Sequence, residues 1–306
     1  MLSLINKLTT YSKFISLNKI KIDSKIVGTK IKPYTYHIDY RQISNYSASI
    51  FDENSIYFNT EKEEEIIAHP LYAVRISWQI IEKLNQLCEV ELSDSFLNNL
   101  VHQSEYLEIH RSLKPNDEVI IHGEFVSLLP HKSGVKIVIK FEYFNKQEQL
   151  LITEFIGALI YGAKCTDKGK ASPGVPATER IEKNSPLWEE EIPVTASAPY
   201  IYDGCNDIVY PIHTDRKYAR SIGLPDIILQ GTATLAMSTS LLIRKELNNE
   251  PRKIGIVSGK FTDIVVPPNQ LFVRLLEKNQ QDLYFDVKEK SGKYVIKGGY
   301  IKAMKI

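Results

Sequence analysis

The chain has 306 residues, 43% of them hydrophobic and 25% charged, and its 38 Lys and Arg against 37 Asp and Glu leave a net charge of +1. This is a globular composition with room for two domains, and so balanced a charge offers neither a basic surface for nucleic acid nor an acidic solvating tail. Cys88, Cys165 and Cys205 are too scattered for a disulfide framework or a Cys-x-x-Cys metal site and fit a reducing compartment, while no apolar run nears the roughly 18–20 residues of a membrane span.

Residues 1–24 come first. Lys7, Lys13, Lys19 and Lys21 stand among Ser and Thr with no acid before Asp23, and Leu4, Leu8, Tyr11 and Ile15 recur at helical spacing. The segment reads as an N-terminal arm packed on the protein or as a targeting segment, with Lys where transit peptides use Arg. The expected location is cytoplasmic, with the mitochondrial matrix as the alternative. Residues 66–82 have helical character interrupted by Pro70. Residues 118–128, 135–144 and 150–161 alternate as strands, the first two separated by the turn Lys132-Ser133-Gly134. Residues 166–191 read as a linker, with Ser172-Pro173-Gly174, Pro176 and the acidic run Glu189-Glu190-Glu191. A helix is predicted over 229–247, small and apolar along Leu229, Ala233, Ala236 and Ser240, stopping at Asn248-Asn249 before Pro251. Strands follow at 271–276, 283–287 and 294–303.

The order of elements repeats. Residues 46–59 align without gaps on residues 202–215, so that Tyr57 falls on His213 at an offset of 156, and Leu113-Lys114-Pro115-Asn116 matches Val266-Pro267-Pro268-Asn269 at an offset of 153. Two near-constant offsets carrying one order of elements mark a duplication. The expected fold is α+β: two tandem hotdog domains, each an antiparallel sheet wrapped round a helix, at 25–165 and 192–306 about the 166–191 linker, forming a double hotdog.

Pro211-Ile212-His213-Thr214-Asp215, followed by Ala219, Gly223-Leu224-Pro225 and Ile227-Ile228-Leu229-Gln230-Gly231, resembles the signature of MaoC-like proteins, which include the R-specific enoyl-CoA hydratases and related 3-hydroxyacyl-thioester dehydratases. The resemblance runs from about Lys25 to the end. It implies addition of water to an enoyl thioester, or the reverse, on acyl-CoA or acyl carrier protein, with no cofactor and with the working site in the second half. It also implies a chain acting as a monomer (itself a pseudo-dimer) or as a homodimer.

That reaction needs a base for water, a proton for Cα and a donor for the enolate oxygen. His213 is the candidate base, and the N–H of Gly231 at a buried helix start is the candidate oxyanion donor. The family places an Asp five residues before the His, where this sequence has Ile208. Asp207 could serve if the loop bulges by one residue, and Tyr210, in place of the family's Asn, could orient water through its hydroxyl. Gln230 replaces the family's His before the Gly, and the first copy keeps Asp52 and Asn54 but has Tyr57 for the His. Asp215 is read as a helix cap, Asp52 and Asn54 as residues shaping their loop, and Arg216, Lys217 and Arg220 as a solvated face or phosphate contacts. Two other readings remain open: a homologue that binds thioesters or partners without chemistry, and a different addition or elimination on the same scaffold.

Overall fold

The computed structural model describes residues 20–177, 181, 183 and 185–304; most of the 1–24 arm lies outside the described residues. The first half runs β1 (Lys30–His37), α1 (Tyr40–Ser49), α2 (Ala73–Ile81), β2 (Leu100–Ile109), β3 (Glu118–His131), β4 (Gly134–Phe144) and β5 (Leu150–Tyr161). The second runs β6 (Trp188–Val194), α3 (Ala198–Asn206), the short helices α4 (Pro211–Thr214) and α5 (Arg216–Ser221), α6 (Gly231–Glu246), β7 (Ile254–Phe261), β8 (Asn269–Asn279), β9 (Asp282–Glu289) and β10 (Tyr294–Ala303).

All ten strands join one antiparallel sheet in the order β1-β3-β4-β5-β2-β7-β10-β9-β8-β6, with Lys170–Ala171 added beside β3. Read outward from the centre, both halves have the same order, so a pseudo-two-fold axis passes between β2 and β7. There Val257 faces Leu107 and Gly259 faces Glu105. The duplication is thus visible as symmetry, and the architecture is the double hotdog.

Each half wraps its sheet round one central helix, α2 or α6. In α6 the side chains of Leu235, Leu241, Leu242 and Ile243 are at most 2% exposed, each contributing roughly 1.5–3 kcal/mol by burial. Gly259 lets helix and sheet approach: a Cβ there would lie 3.1 Å from Leu235 Cδ1. The helix stops where predicted, at left-handed Asn248 and Asn249, with the Asn249 N–H donating to Ile243 O at 3.1 Å. Helix α1 starts with a capping box, Asp39 accepting from the Gln42 N–H at 2.7 Å while Gln42 Oε1 accepts from the Asp39 N–H. Helices α1 and α3 pack across the axis, where the aligned Tyr46 and Tyr202 are both fully buried with ring centroids 6.1 Å apart.

Three sequence expectations need correction. The helix expected over 66–82 forms only at Ala73–Ile81. Residues 66–69 are instead non-helical, with the Ala68 N–H donating to Leu113 O at 2.8 Å, and Pro70 lies in the turn before the helix. The last four residues of the expected linker belong to β6. Their charges are met across the strand and helix layers: Glu189 by Arg274 at 3.3 Å, and Glu190 by Lys245. Lys21–Ile22, assigned to the arm, pairs in parallel with Lys164–Cys165 of the first half. Among the described residues no helix is long and apolar enough to cross a membrane.

Candidate active site

A cavity of about 200 Å³ opens where the N-terminus of α6 meets the loop before α4. Ile208, Tyr210, Ile212 and His213 form one wall, and Ile228 to Thr232 form a second. Trp78 of α2 and His102 of β2 reach in from the first half, and Phe261 and Asp263 come from the end of β7.

His213 is positioned by backbone. Its Nδ1 lies 2.8 Å from Ile228 O. A carbonyl only accepts, so Nδ1 carries the proton and Nε2 keeps its lone pair. The Ile228 N–H in turn donates to Ile212 O at 3.2 Å, so the two walls hold each other. Burial lowers the His213 pKa to about 4, partly opposed by the bond to Ile228, and the imidazole is a neutral base across the physiological range.

Gly231 is the first residue of α6, and its N–H has no acceptor within the helix. A Cβ there would sit 2.9 Å from the Phe261 ring, which explains glycine at this point. The N-terminus of the 16-residue helix, with Thr232 and Thr234 beside it, thus presents donors and the positive end of the helix dipole to the cavity. Before it, Gln230 is buried and donates from Nε2 to Pro199 O at 3.2 Å.

Tyr210 lines the same cavity. Burial, with Tyr218 and Glu82 nearby, raises the pKa of its hydroxyl. The Asp203 carboxyl lies near the Tyr210 backbone N–H, and Glu82 lies near that of Val209. Burial raises both carboxyls, an effect these N–H groups partly oppose.

Asp207 does not join the cavity. It ends α3 in the left-handed conformation (φ 53°, ψ 35°). This turns its side chain, 65% exposed, out to Arg75 Nη2 of α2 at 2.5 Å, while the next residue, Ile208, faces inward at 4% exposure. The bulge considered for Asp207 is therefore absent, and its carboxylate ties the loop to the first half.

The lesser expectations fare differently. Asp215 caps α5, Oδ1 accepting the Tyr218 N–H at 2.9 Å. Asp52 and Asn54 shape their loop, Asp52 accepting the Asn54 N–H at 3.0 Å and Asn54 the Ile56 N–H at 3.2 Å. Arg216 and Arg220 both pair with Asp226, at 3.3 and 3.0 Å. Among the described residues no three His, Cys, Asp or Glu side chains converge as metal ligands.

The first half shows what the pseudo-symmetry has discarded. Its Ile66-Ile67-Ala68-His69-Pro70 occupies the place of Ile227-Ile228-Leu229-Gln230-Gly231, because the Ala68 N–H donates to Leu113 O as the Leu229 N–H donates to Val265 O, both at 2.8 Å. Pro70 stands for Gly231 and has no N–H to offer an oxyanion. Tyr57 stands for His213 and is fully buried. His69 is spent on structure, Nδ1 accepting the Leu71 N–H and Nε2 bonded to Ser240 Oγ of α6 at 3.1 Å. The cavity beside Pro70 is only about 10 Å³.

Trp78, His102 and Asp263 escaped the sequence reading, since no local motif marks them. Asp263 reaches the site through the stretch that follows β7 and bridges Leu229 at Val265, a pairing no local motif announces.

Both halves of the chain resemble known proteins. Residues 178–298 match the MaoC like domain, and residues 36–162 match the MFE-2 hydratase 2 N-terminal domain. The chain is 24% identical over 257 residues to the peroxisomal multifunctional enzyme type 2 of Drosophila melanogaster, covering 83% of this chain and 43% of that protein. It is 24% identical over 212 residues to the peroxisomal enoyl-CoA hydratase 2 of Arabidopsis thaliana, covering 66% and 67%. Among solved structures, a MaoC-like dehydratase from Phytophthora capsici superposes with a TM-score of 0.80 at 18% identity, over 92% of this chain and 98% of that one. The chain spans less than half the length of the multifunctional enzyme it matches. The compartment in those relatives' names is neither of the two expected from the sequence.

Proposed function

Because this chain belongs to the MaoC-like family, with a hydratase 2 N-terminal domain ahead of its MaoC-like domain, we propose that it hydrates trans-2-enoyl-CoA thioesters to (R)-3-hydroxyacyl thioesters and catalyses the reverse dehydration. One observation carries the reading: a neutral imidazole with Nε2 free and a helix-start N–H at Gly231 share one largely apolar cavity. The apolar walls suit an acyl chain and strengthen the electrostatics at its thioester end. In the hydration, water oxygen bonds to Cβ while a water proton passes to His213 Nε2. The π pair moves onto the thioester, whose oxygen is held by the Gly231 N–H. The proton then passes to Cα as the enolate collapses, so the net change is one water added.

The test is loss of enoyl absorbance with crotonyl-CoA and a series of longer enoyl-CoAs. Turnover is expected, falling on the order of 10²–10⁴-fold in His213→Gln; no turnover with any chain length overturns the reading. The absence of a carboxylate at position 208 favours one other reading, a homologue that binds thioesters without chemistry. It predicts acyl-CoA binding by an inactive wild type, with affinity unchanged in His213→Gln.

A further inference from the structure

The cavity has a base and an oxyanion donor, but the position from which a carboxylate is implied is filled by Ile208. Several carboxylates lie near. Asp207 is committed to Arg75, and Asp203, Glu82 and Glu105 do not line the cavity. Asp263 does, the sole carboxylate among the described residues lining it.

Asp263 lies two residues beyond the end of β7, in the stretch that bridges Leu229 through Val265. It lines the same cavity as Gly231, where the thioester carbonyl would be held. Its Oδ1 accepts the Ile264 N–H at 2.9 Å, which fixes the carboxylate and leaves Oδ2 for another donor. Among the described residues no Lys or Arg lines the cavity, so the described wall offers it no ion-pair partner.

We propose that Asp263 is the catalytic carboxylate of this site, accepting a hydrogen bond from the attacking water whose other hydrogen passes to His213 Nε2. The inference rests on the hydratase reading above and adds a residue to it. As the C–O bond to Cβ forms, Asp263 holds the remaining O–H, and its negative charge offsets the imidazolium forming on His213. The carboxylate keeps its charge throughout, and the proton borrowed by Nε2 is returned to Cα. The carboxylate has thus moved from the loop before α4 to the end of β7.

The experiment compares steady-state hydration by wild type, Asp263→Asn and Asp207→Asn. Asparagine keeps an oxygen for the Ile264 N–H, so Asp263→Asn is expected to melt as wild type does, with kcat down about 100-fold and KM within threefold. Asp207→Asn is expected to lower the melting temperature, because Arg75 is left buried without its partner, while kcat stays within threefold. In Asp263→Ala, added formate is expected to restore turnover. Asp263→Asn with kcat within threefold of wild type, or Asp263→Ala that formate does not restore, overturns the assignment while leaving the hydratase reading standing. A wild type inactive on every enoyl-CoA overturns both.

Discussion

His213 illustrates how one side chain's surroundings set its chemistry. Burial lowers its pKa from 6.5 to about 4, and the bond to Ile228 O assigns the proton of the neutral ring to Nδ1. Because the folded-state value lies below the unfolded one, protons bind the unfolded chain first as pH falls. The ring's contribution to stability is therefore complete above pH 6.5 and lost as pH drops towards 4. In the proposed reaction, log kcat/KM is expected to stay level through pH 6.5 and bend down only near pH 4. A pH–rate profile, with melting followed in parallel, checks this; an acid limb centred near pH 6.5 would mean an imidazole open to water. Arg75 raises the opposite problem, a buried guanidinium whose carboxylate partner Asp207 is mostly exposed. The pair holds the loop before α4 against α2, because losing Asp207 would leave the buried guanidinium without its counter-ion.

At the scale of elements, the start of α6 is where the two halves differ most usefully. Proline is well tolerated at the first position of a helix, and Gln230, with φ −59° and ψ 134°, already has the extended conformation required before proline. Gly231→Pro should therefore keep α6 while imitating Pro70 and deleting the N–H. Gly231→Ala is the control, as it keeps the N–H and brings a similar Cβ towards Phe261. Turnover of the Pro variant is expected to fall about 10²–10³-fold below that of the Ala variant, measured as kcat on crotonyl-CoA; equal rates would remove the N–H from the mechanism. The sequence showed His213 and Gly231 readily, because their loop and helix are short contiguous motifs. It did not show the strands at the seam. In β2 and β7 the buried positions include Glu105, Ser258 and Gly259, which blur the polar–apolar alternation that reveals β3, β4, β5 and β10. With β2 and β7 unseen, nothing local could bring Trp78, His102 or Asp263 to the site. The acids of β6 read as linker for a related reason: their partners Arg274 and Lys245 lie far along the chain.

For the whole molecule, the pseudo-symmetry combines a shared scaffold with a difference between its halves: one keeps His213 and the Gly231 N–H at the cavity, and the other contributes walls and ties. Those ties cross the axis repeatedly, at Asn206 Nδ2 to Ser49 Oγ (2.9 Å), Asn54 Nδ2 to Asn249 O (2.8 Å) and Arg75 to Asp207. Near the seam lies a buried acid pair, Glu105 of β2 and Glu154 of β5. Tyr143 and Ser77 donate to Glu154 at 2.6 and 2.9 Å, and burial leaves the pair holding a proton between its two carboxyls. His102 Nε2 lies 3.3 Å from Glu105, but burial lowers that imidazole to about 4, making this a neutral contact rather than an ion pair. Burial raises both carboxyls well above the ordinary value of 4.5. The folded chain then retains protons that the unfolded chain releases, so this contribution to stability is full below pH 4.5 and is lost as pH rises towards the folded-state values. Glu105→Gln mimics the protonated acid, offering an N–H to Glu154, and removes that dependence. Its melting temperature is expected to match wild type near pH 4.5 and to exceed it by about 2–4 °C at pH 8–9. Melting curves across that range decide the matter: a variant destabilised equally at every pH would show that the pair holds no such proton in the folded protein.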